Sequence, residues 1–349
     1  MTTLTDNHAL DITALAAWLA ARSPASGLPV LHRIGGGQSN PTWFVDWGDA
    51  RLVLRMKPHG PILPGAHAIE REFRVLRALQ DSDVPVPKAL WLEEDAAVLG
   101  APFYVMERLE GRVFDNAALP DVPASERHEM YLDMARTLAR LHALRPEALG
   151  LADYGRPGNY FARQITRWSG QYAASTGPRI ADLDRLVEWL PANMPADDGA
   201  VSIAHGDFRI GNLMFHPTEP RVIGVLDWEL STLGHPLADL GFCVIPWHSA
   251  PDEYGGLLGT DWRGAGIPDR AAFEAEYHAH ALPTAPLAPF HVAFALFRFA
   301  VIFVGIADRA RSGSAASSEA ADLAPLAERF AHRAIEVIDA ALKSEGAAQ

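Results

Sequence analysis

The segment His205-Gly206-Asp207-Phe208-Arg209-Ile210-Gly211-Asn212 sets an acid two residues after a histidine and an amide five residues after the acid. Phosphoryl transfer needs such a loop. A carboxylate must sit beside the acceptor hydroxyl to orient it and take its proton, and an amide oxygen a few residues on must hold the metal that offsets phosphate charge. Asp207 is the expected base and Asn212 the expected metal ligand. Fifteen residues beyond Asn212 the strand-like run Val222-Ile223-Gly224-Val225-Leu226 ends in Asp227. Taken alone, Asp227 reads as a turn former. In this position it reads as a second metal ligand, aimed from the end of a buried strand.

Other residues fit around that loop with alternatives open. Asp239 lies between apolar neighbours, and a buried carboxylate needs donors, so it either braces the loop or caps a helix. His205 could be a base itself, but a structural ring hydrogen-bonded to backbone or to Asp227 is the favoured reading. Upstream, Gly35-Gly36-Gly37-Gln38-Ser39-Asn40 joins two strand-like runs. Such a turn can bring backbone N–H groups close to phosphate oxygens, although a plain hairpin gives the same pattern. The next strand offers two cations, Arg55 and Lys57, which share a face because strand side chains alternate. The helix that follows offers Glu70 and Glu72 as partner acids, Glu72 immediately before the apolar face. Cys243 is the single cysteine, in an apolar run, and reads as a small buried hydrophobe.

The elements that must position these groups change character along the chain. Residues 11–21 have helical spacing. Residues 42–47 and 51–56 are rich in β-branched and aromatic residues and flank Gly48-Asp49, which predicts a hairpin. A Pro/Gly-rich loop over 58–65 precedes a helix over 66–79, with Phe73, Leu76 and Leu79 on one face. Strand-like runs follow at 89–93 and 103–108. From 126 onward helices dominate: 126–143 with Ser125 as its N-cap, then 163–174, 183–193, 273–280, 289–308 and 318–342, the last broken at Pro325. Short strands return between 201 and 228. The pattern predicts an α+β fold with a small antiparallel β-rich N-lobe and a larger helical C-lobe. The expected organisation is a helical segment over 1–29, a nucleotide-binding lobe over 30–110, a catalytic and acceptor-binding lobe over 111–342 and a tail over 343–349.

Composition narrows the function. The 349 residues hold 30 basic and 43 acidic side chains, a net charge of −13, with no basic stripe. That argues against nucleic acid as a partner. One cysteine excludes an internal disulfide and a cysteine-rich zinc site. No signal peptide is read at the start. The longest apolar run, 294–306, is interrupted by Arg298 and falls short of the ~18 residues a membrane span needs. The expectation is a cytoplasmic protein that engages neither membrane nor nucleic acid.

On these motifs the chain resembles the aminoglycoside phosphotransferase and choline kinase superfamily over residues 30–310. His205-Gly206-Asp207 through Asn212, followed by Leu226-Asp227-Trp228-Glu229, looks like that family's signature, with Trp228-Glu229 where protein kinases have Phe-Gly. Its protein-kinase-like two-lobed fold is implied. Glu107-Arg108-Leu109-Glu110-Gly111 looks like the hinge between lobes, where backbone groups of Glu107 and Leu109 would meet adenine. Leu138-Ala139-Arg140-Leu141-His142 is also similar, and His142 reads as a packed helix residue. The likeness is strongest to the kinase-like domain fused to some acyl-CoA dehydrogenases, through Gly36-Gly37-Gln38-Ser39-Asn40-Pro41-Thr42, Leu63-Pro64-Gly65-Ala66-His67 and Glu70-Arg71-Glu72-Phe73-Arg74-Val75-Leu76. Many relatives carry lysine where Arg55 stands; arginine keeps the charge and adds a fork that grips phosphate.

The resemblance implies ATP- or GTP-dependent, Mg²⁺-assisted phosphorylation of a small-molecule hydroxyl. A hydroxyacyl-CoA is the acceptor it brings into view, and an aminoglycoside is the alternative. In that reading Gly36, Gly37, Gln38, Ser39 and Asn40 cover the phosphates, Arg55 held by Glu72 steadies them, and the 58–65 loop closes over the site. Residues 159–172 and 247–262, rich in aromatics, are the expected acceptor-binding segments. A non-catalytic nucleotide- or acyl-CoA-binding pseudokinase is the competing class, and the intact Asp207, Asn212 and Asp227 argue against it. A metal-dependent phosphoesterase needs several His and Asp ligands, and no upstream D-x-H partner is found.

Overall fold

The computed structural model describes residues 10–35, 40–58, 68–156, 158–312 and 322–347. Gly36, Gly37, Gln38 and Ser39, with most of the 58–65 and 311–318 loops, lie outside them. The chain divides into two compact units, Met1–Asp81 with Val86–Leu109, and Ser82–Pro85 with Glu110–Gln349.

The first unit is built on an antiparallel sheet of β1 (Val30–Arg33), β2 (Thr42–Trp47), β3 (Ala50–Met56), β4 (Ala89–Glu93) and β5 (Phe103–Glu107), in the order β1-β2-β3-β5-β4. The β2–β3 hairpin turns at Gly48-Asp49, where Gly48 takes φ +58° and Trp47 pairs with Ala50. Alternation sorts the two faces. Val45, Trp47, Leu52, Leu54, Met56, Phe103 and Val105 share a core with Leu15, Trp18 and Leu19 of helix α1 (Ile12–Ala20). Asp11 caps that helix, its Oδ1 accepting from the N–H groups of Thr13 and Ala14 at 3.0 and 2.9 Å. Arg55 and Tyr104 are cross-strand partners one residue out of phase with that core, so both point to the other face. There they meet helix α2 (Ile69–Leu79).

The second unit is mainly helical. Helix α3 (Ala124–Ala143) is followed by α4 (Tyr160–Ala173) and α5 (Ala181–Ala192). Four short strands then form two ladders. Strand β6 (Ser202–Ala204) pairs with β9 (Thr232–Gly234), and β7 (Leu213–Phe215) pairs with β8 (Val222–Val225). Helices α6 (Pro236–Cys243), α7 (Arg270–His280), α8 (Pro289–Arg311) and α9 (Leu326–Ala347) complete it. Helix α3 starts at Ala124 with Pro123 at its cap position, so Ser125 lies inside the helix rather than capping it. Pro325 stands just before α9 instead of breaking it; a proline there gives up no helical N–H. Among the described residues α8 is the one helix long and apolar enough to cross a membrane, and 83% of its apolar window is buried inside the protein. The interruption at Arg298 is therefore a feature of a core helix.

Candidate active site

The β7–β8 ladder explains how Asn212 and Asp227 come together. Leu213 pairs with Val225, and one step outward the Leu226 N–H donates to the Asn212 carbonyl at 2.8 Å. Asn212 and the residue before Asp227 are thus joined at the open end of the ladder. Asn212 ends a turn of 3-10 helix over Ile210–Asn212. Its Nδ2 donates to Asp207 twice, to the carbonyl at 2.8 Å and to the carboxylate Oδ2 at 2.7 Å. The amide oxygen is thereby turned the other way. Asp227 has left the strand and sits in the left-handed region, φ +62° and ψ 66°. A non-glycine residue there carries strain of about 1–3 kcal/mol, a feature that gathers at functional sites.

Asp207 keeps 24% of its side chain exposed, and its Oδ2 also faces Arg209 Nε at 3.5 Å. Burial pushes its carboxyl above the usual value, against the pull of Arg209, Arg298 and Asn212. Arg209 extends over the ring of Tyr254, 5.4 Å from its centre.

The loop that presents Asp207 is held by buried groups. His205 is fully covered. Its Nε2 lies 2.9 Å from the Leu226 carbonyl and its Nδ1 accepts the Asp207 N–H at 3.2 Å. A carbonyl only accepts and an N–H only donates, so the ring is neutral with its proton on Nε2. Both nitrogens are committed, which removes His205 as a base and makes it a spacer between the loop and the Asp227 strand. Asp239 lies within α6 rather than at its start; the cap acceptor there is the His235 ring, which takes the Leu237 N–H at 3.2 Å. The Asp239 carboxylate accepts from His205 N–H at 2.6 Å and Gly206 N–H at 2.9 Å, and stands 3.4 Å from His142 Nε2. Burial alone would raise its carboxyl, but His142 above all, with the Gly206 N–H, holds it below the usual range. His142 is oriented in turn by the Tyr277 hydroxyl, 2.8 Å from Nδ1. Cys243 is buried with its thiol pushed well up by burial, and it donates to the Phe208 carbonyl at 3.1 Å. It packs as the sequence implies.

Two positioning groups were not read as such from the sequence, where Arg298 showed only as a break in an apolar run. Asp133 on α3 accepts the Val222 N–H at 2.7 Å and anchors the start of β8. Arg298 on α8 donates from Nη2 to the Gly206 carbonyl.

In the first unit Arg55 Nε lies 2.7 Å from Glu72 Oε2. Glu72 is 2% exposed and also accepts from Asn40 Nδ2 at 2.6 Å and the Tyr104 hydroxyl at 3.1 Å. Lys57 instead faces the exposed Glu70 at 3.8 Å. The two cation–acid pairs left open by the sequence are thus distinguished: one is buried and braced three ways, the other lies at the surface. Glu107 ends β5 with its N–H donated to the Lys88 carbonyl at 3.0 Å. Leu109 is the last residue of the unit.

The profile of the phosphotransferase enzyme family matches residues 30–290. The chain belongs to this phosphotransferase family. A crystal structure from Ralstonia eutropha JMP134, provisionally named an aminoglycoside phosphotransferase, is 43% identical, covers 94% of this chain and 98% of its own, and superposes with a TM-score of 0.84. The protein-kinase-like α+β fold follows from that match. Acyl-CoA dehydrogenase family member 11 of Gallus gallus is 39% identical over 323 residues, 90% of this chain and 41% of that protein. Family member 10 of Mus musculus is 39% identical over 314 residues, 89% of this chain and 29% of that protein. The phosphotransferase chain therefore spans less than half the length of either of these two relatives.

A divalent ion fits the donors present. The turned Asn212 oxygen and the Asp227 carboxylate are hard oxygen donors of the kind that would hold Mg²⁺. Among the described residues no cluster of three or more His, Cys, Asp or Glu could hold a metal.

Two cavities lie in the second unit. A cavity of about 50 Å³ is walled by Tyr131, Met134, Phe242, Ile245 and Phe299, with Arg209 among its lining residues. A larger one, about 650 Å³, is lined by Asn159, Tyr160, Phe161, Leu233, His235 and His291, among others. The 247–262 segment lends Ser249, Glu253 and Tyr254 to the first, and the 159–172 segment contributes to the second.

Proposed function

We propose that this protein transfers the terminal phosphoryl group of ATP, or of GTP, to a hydroxyl of a small molecule with Mg²⁺. The observation that carries the reading is the Asp207–Asn212 lock. One amide nitrogen fixes the carboxylate's direction, and the same amide's oxygen is thereby presented to a cation. Asp207 aligns the acceptor hydroxyl and receives its proton. Asn212 and Asp227 would hold Mg²⁺, which when bound offsets the charge of the nucleotide phosphates. Arg55, stiffened by Glu72, steadies those phosphates, and the braced Arg55–Glu72 pair favours Arg55 over Lys57 in that role. The Glu107 carbonyl and the backbone of Leu109 meet the base, and Gly36, Gly37, Gln38, Ser39 and Asn40 cover the phosphates. Little covalent work falls to the side chains, so position and charge carry the rate.

For the acceptor, the apolar walls beside Arg209 suit the acyl end of a molecule such as a hydroxyacyl-CoA, the cavity of about 50 Å³ taking only a small apolar group. An aminoglycoside wants unspent acids. Here Asp252 is paired with Arg329 at 2.6 Å, Glu253 with Arg333 at 2.8 Å, and Asp261 accepts the Gly264 N–H at 3.0 Å, whereas Glu147, Asp153, Asp197 and Asp198 line the larger cavity and keep an aminoglycoside as the second reading. The test is ADP release with Mg²⁺-ATP across hydroxyacyl-CoAs, free hydroxy acids and aminoglycosides, with phosphorylated product read by mass. The reading expects a hydroxyacyl-CoA to be turned over, and Asp207→Ala to abolish transfer while nucleotide still binds. Normal turnover by that variant would remove the mechanism, and preferential turnover of aminoglycosides would remove the acceptor assignment.

A further inference from the structure

The side chain of Arg298 is an anomaly of burial. It is 6% exposed in the middle of α8, between residues as apolar as Phe294, Phe297, Phe299 and Val301. A guanidinium taken out of water usually needs a carboxylate. Among the described residues no acid pairs with Arg298. Its charge rests between the rings of Trp168 and Phe242, each centre 5.6 Å away, a weak substitute for an ion pair. Its one hydrogen bond among the described residues is to the Gly206 carbonyl.

That carbonyl belongs to the peptide joining Gly206 to Asp207. The N–H of the same peptide is the one His205 Nδ1 accepts. The plane is therefore clamped at both ends, its oxygen by Arg298 and its nitrogen by His205. The preceding peptides are held independently, their N–H groups by Asp239. Gly206 sits at φ +84°, and a Cβ there would come within 2.6 Å of the Leu230 carbonyl. Glycine is thus required, and glycine also leaves its peptide freest to rotate. The orientation of the plane sets the backbone from which Asp207 projects, while Asn212 holds the carboxylate at its far end; among the described residues His205 and Arg298 are the side chains bonded to the plane itself.

We propose that Arg298 is a positioning residue for phosphoryl transfer: a buried cation kept in the core helix to lock the Gly206–Asp207 peptide and so aim Asp207. The proposal rests on the reading of Asp207 given above. A reacting group displaced by about 1 Å costs on the order of a hundredfold in rate. Arg298→Met, which keeps length and apolarity, is expected to lower kcat for ATP turnover about a hundredfold and to leave the Kd for AMP-PNP and the melting temperature near the parent's. Arg298→Lys, with the charge but not the fork, is expected to fall between. A crystal structure of the Met variant should show the 206–207 peptide rotated with the Asp239 contacts intact. Turnover within twofold of the parent in a folded Met variant would overturn the proposal. So would loss of AMP-PNP binding in step with kcat, which marks a general structural role. Should the Met variant aggregate, the Lys variant decides by the same two readings. An Asp207→Asn control separates the layers: if it turns over normally, the reading of Asp207 fails first, whereas a dead Asp207→Asn beside an active Arg298→Met sinks this inference alone.

Discussion

Replacing Asp239 by asparagine changes almost no volume and should be among the most damaging conservative substitutions in the chain. The carboxylate presents two acceptors to two backbone donors, Oδ2 to His205 N–H at 2.6 Å and Oδ1 to Gly206 N–H at 2.9 Å. An asparagine has one acceptor. Whichever way it turns, an NH₂ group faces a buried backbone N–H. The stranded donor costs about 1–3 kcal/mol. The surviving bond loses its charge assistance, and His142 loses the anion it faces at 3.4 Å. Together these give roughly 3–5 kcal/mol, the range for breaking a buried charged network. That is a large share of the ~5–15 kcal/mol that holds a typical domain folded. Urea unfolding followed by tryptophan fluorescence, with hydrogen exchange over 202–212, measures it. The variant should unfold earlier and lose protection first at His205 and Gly206. The acid response is a second reading. Because the folded Asp239 carboxyl is held below its usual value, its contribution is complete above the unfolded value near ~4 and drains away as pH falls through the lower folded value. The asparagine variant should lack that part of the parent's acid loss. A stability loss below about 1 kcal/mol, with normal exchange at the two amides, would refute the reasoning.

The remaining predictions concern the same framework and its neighbours. Gly206→Ala combines a positive φ with a Cβ 2.6 Å from the Leu230 carbonyl; it should cost roughly 2–4 kcal/mol and most of the turnover, and an unchanged melting temperature would contradict it. Arg55→Ala should raise the KM for ATP at least about tenfold, the scale of one charge-assisted contact, whereas Lys57→Ala should stay within about twofold; equal effects would dissolve the distinction between the two pairs. Burial holds His291 down at about 4, with His235 adding repulsion. The unfolded chain therefore takes up a proton that the fold refuses between the ordinary value near ~6.5 and about 4, and stability falls as pH drops through that window by about 1.4 kcal/mol per unit. His291→Asn, whose Oδ1 can still accept the Ala288 N–H that Nδ1 now takes at 2.9 Å, should flatten that slope in denaturation curves at pH 7, 6 and 5; a parallel slope would place the titration elsewhere.

What could be read ahead of the structure follows the range of the interactions. Asp207 and Asn212 were legible because their contact spans five residues, and the spacing itself carries the geometry. The β2–β3 hairpin was legible for the same reason, its turn being written in Gly48-Asp49. Asp239 was legible only as a buried acid in want of donors; which donors depended on a contact across 34 residues. The cap of α3 was misplaced because Ser125 carries a strong local preference, while Pro123 fixes where the helix begins. Arg298 showed itself only as a break in an apolar run, since its partner lies 92 residues away, and Asp133 reaches Val222 across 89. A common physical feature nevertheless links Asp239, Arg298 and Asp133. Each is a charge kept on the buried face of a helix, where an apolar residue of similar volume would pack at no electrostatic cost. Two of the three serve the loop that carries Asp207, and the third holds the strand that leads to Asp227. A charge that persists on the inner face of a core helix is therefore a sign that something outside the helix must be held still, and in this chain the backbone groups so held flank the proposed phosphoryl-transfer residues.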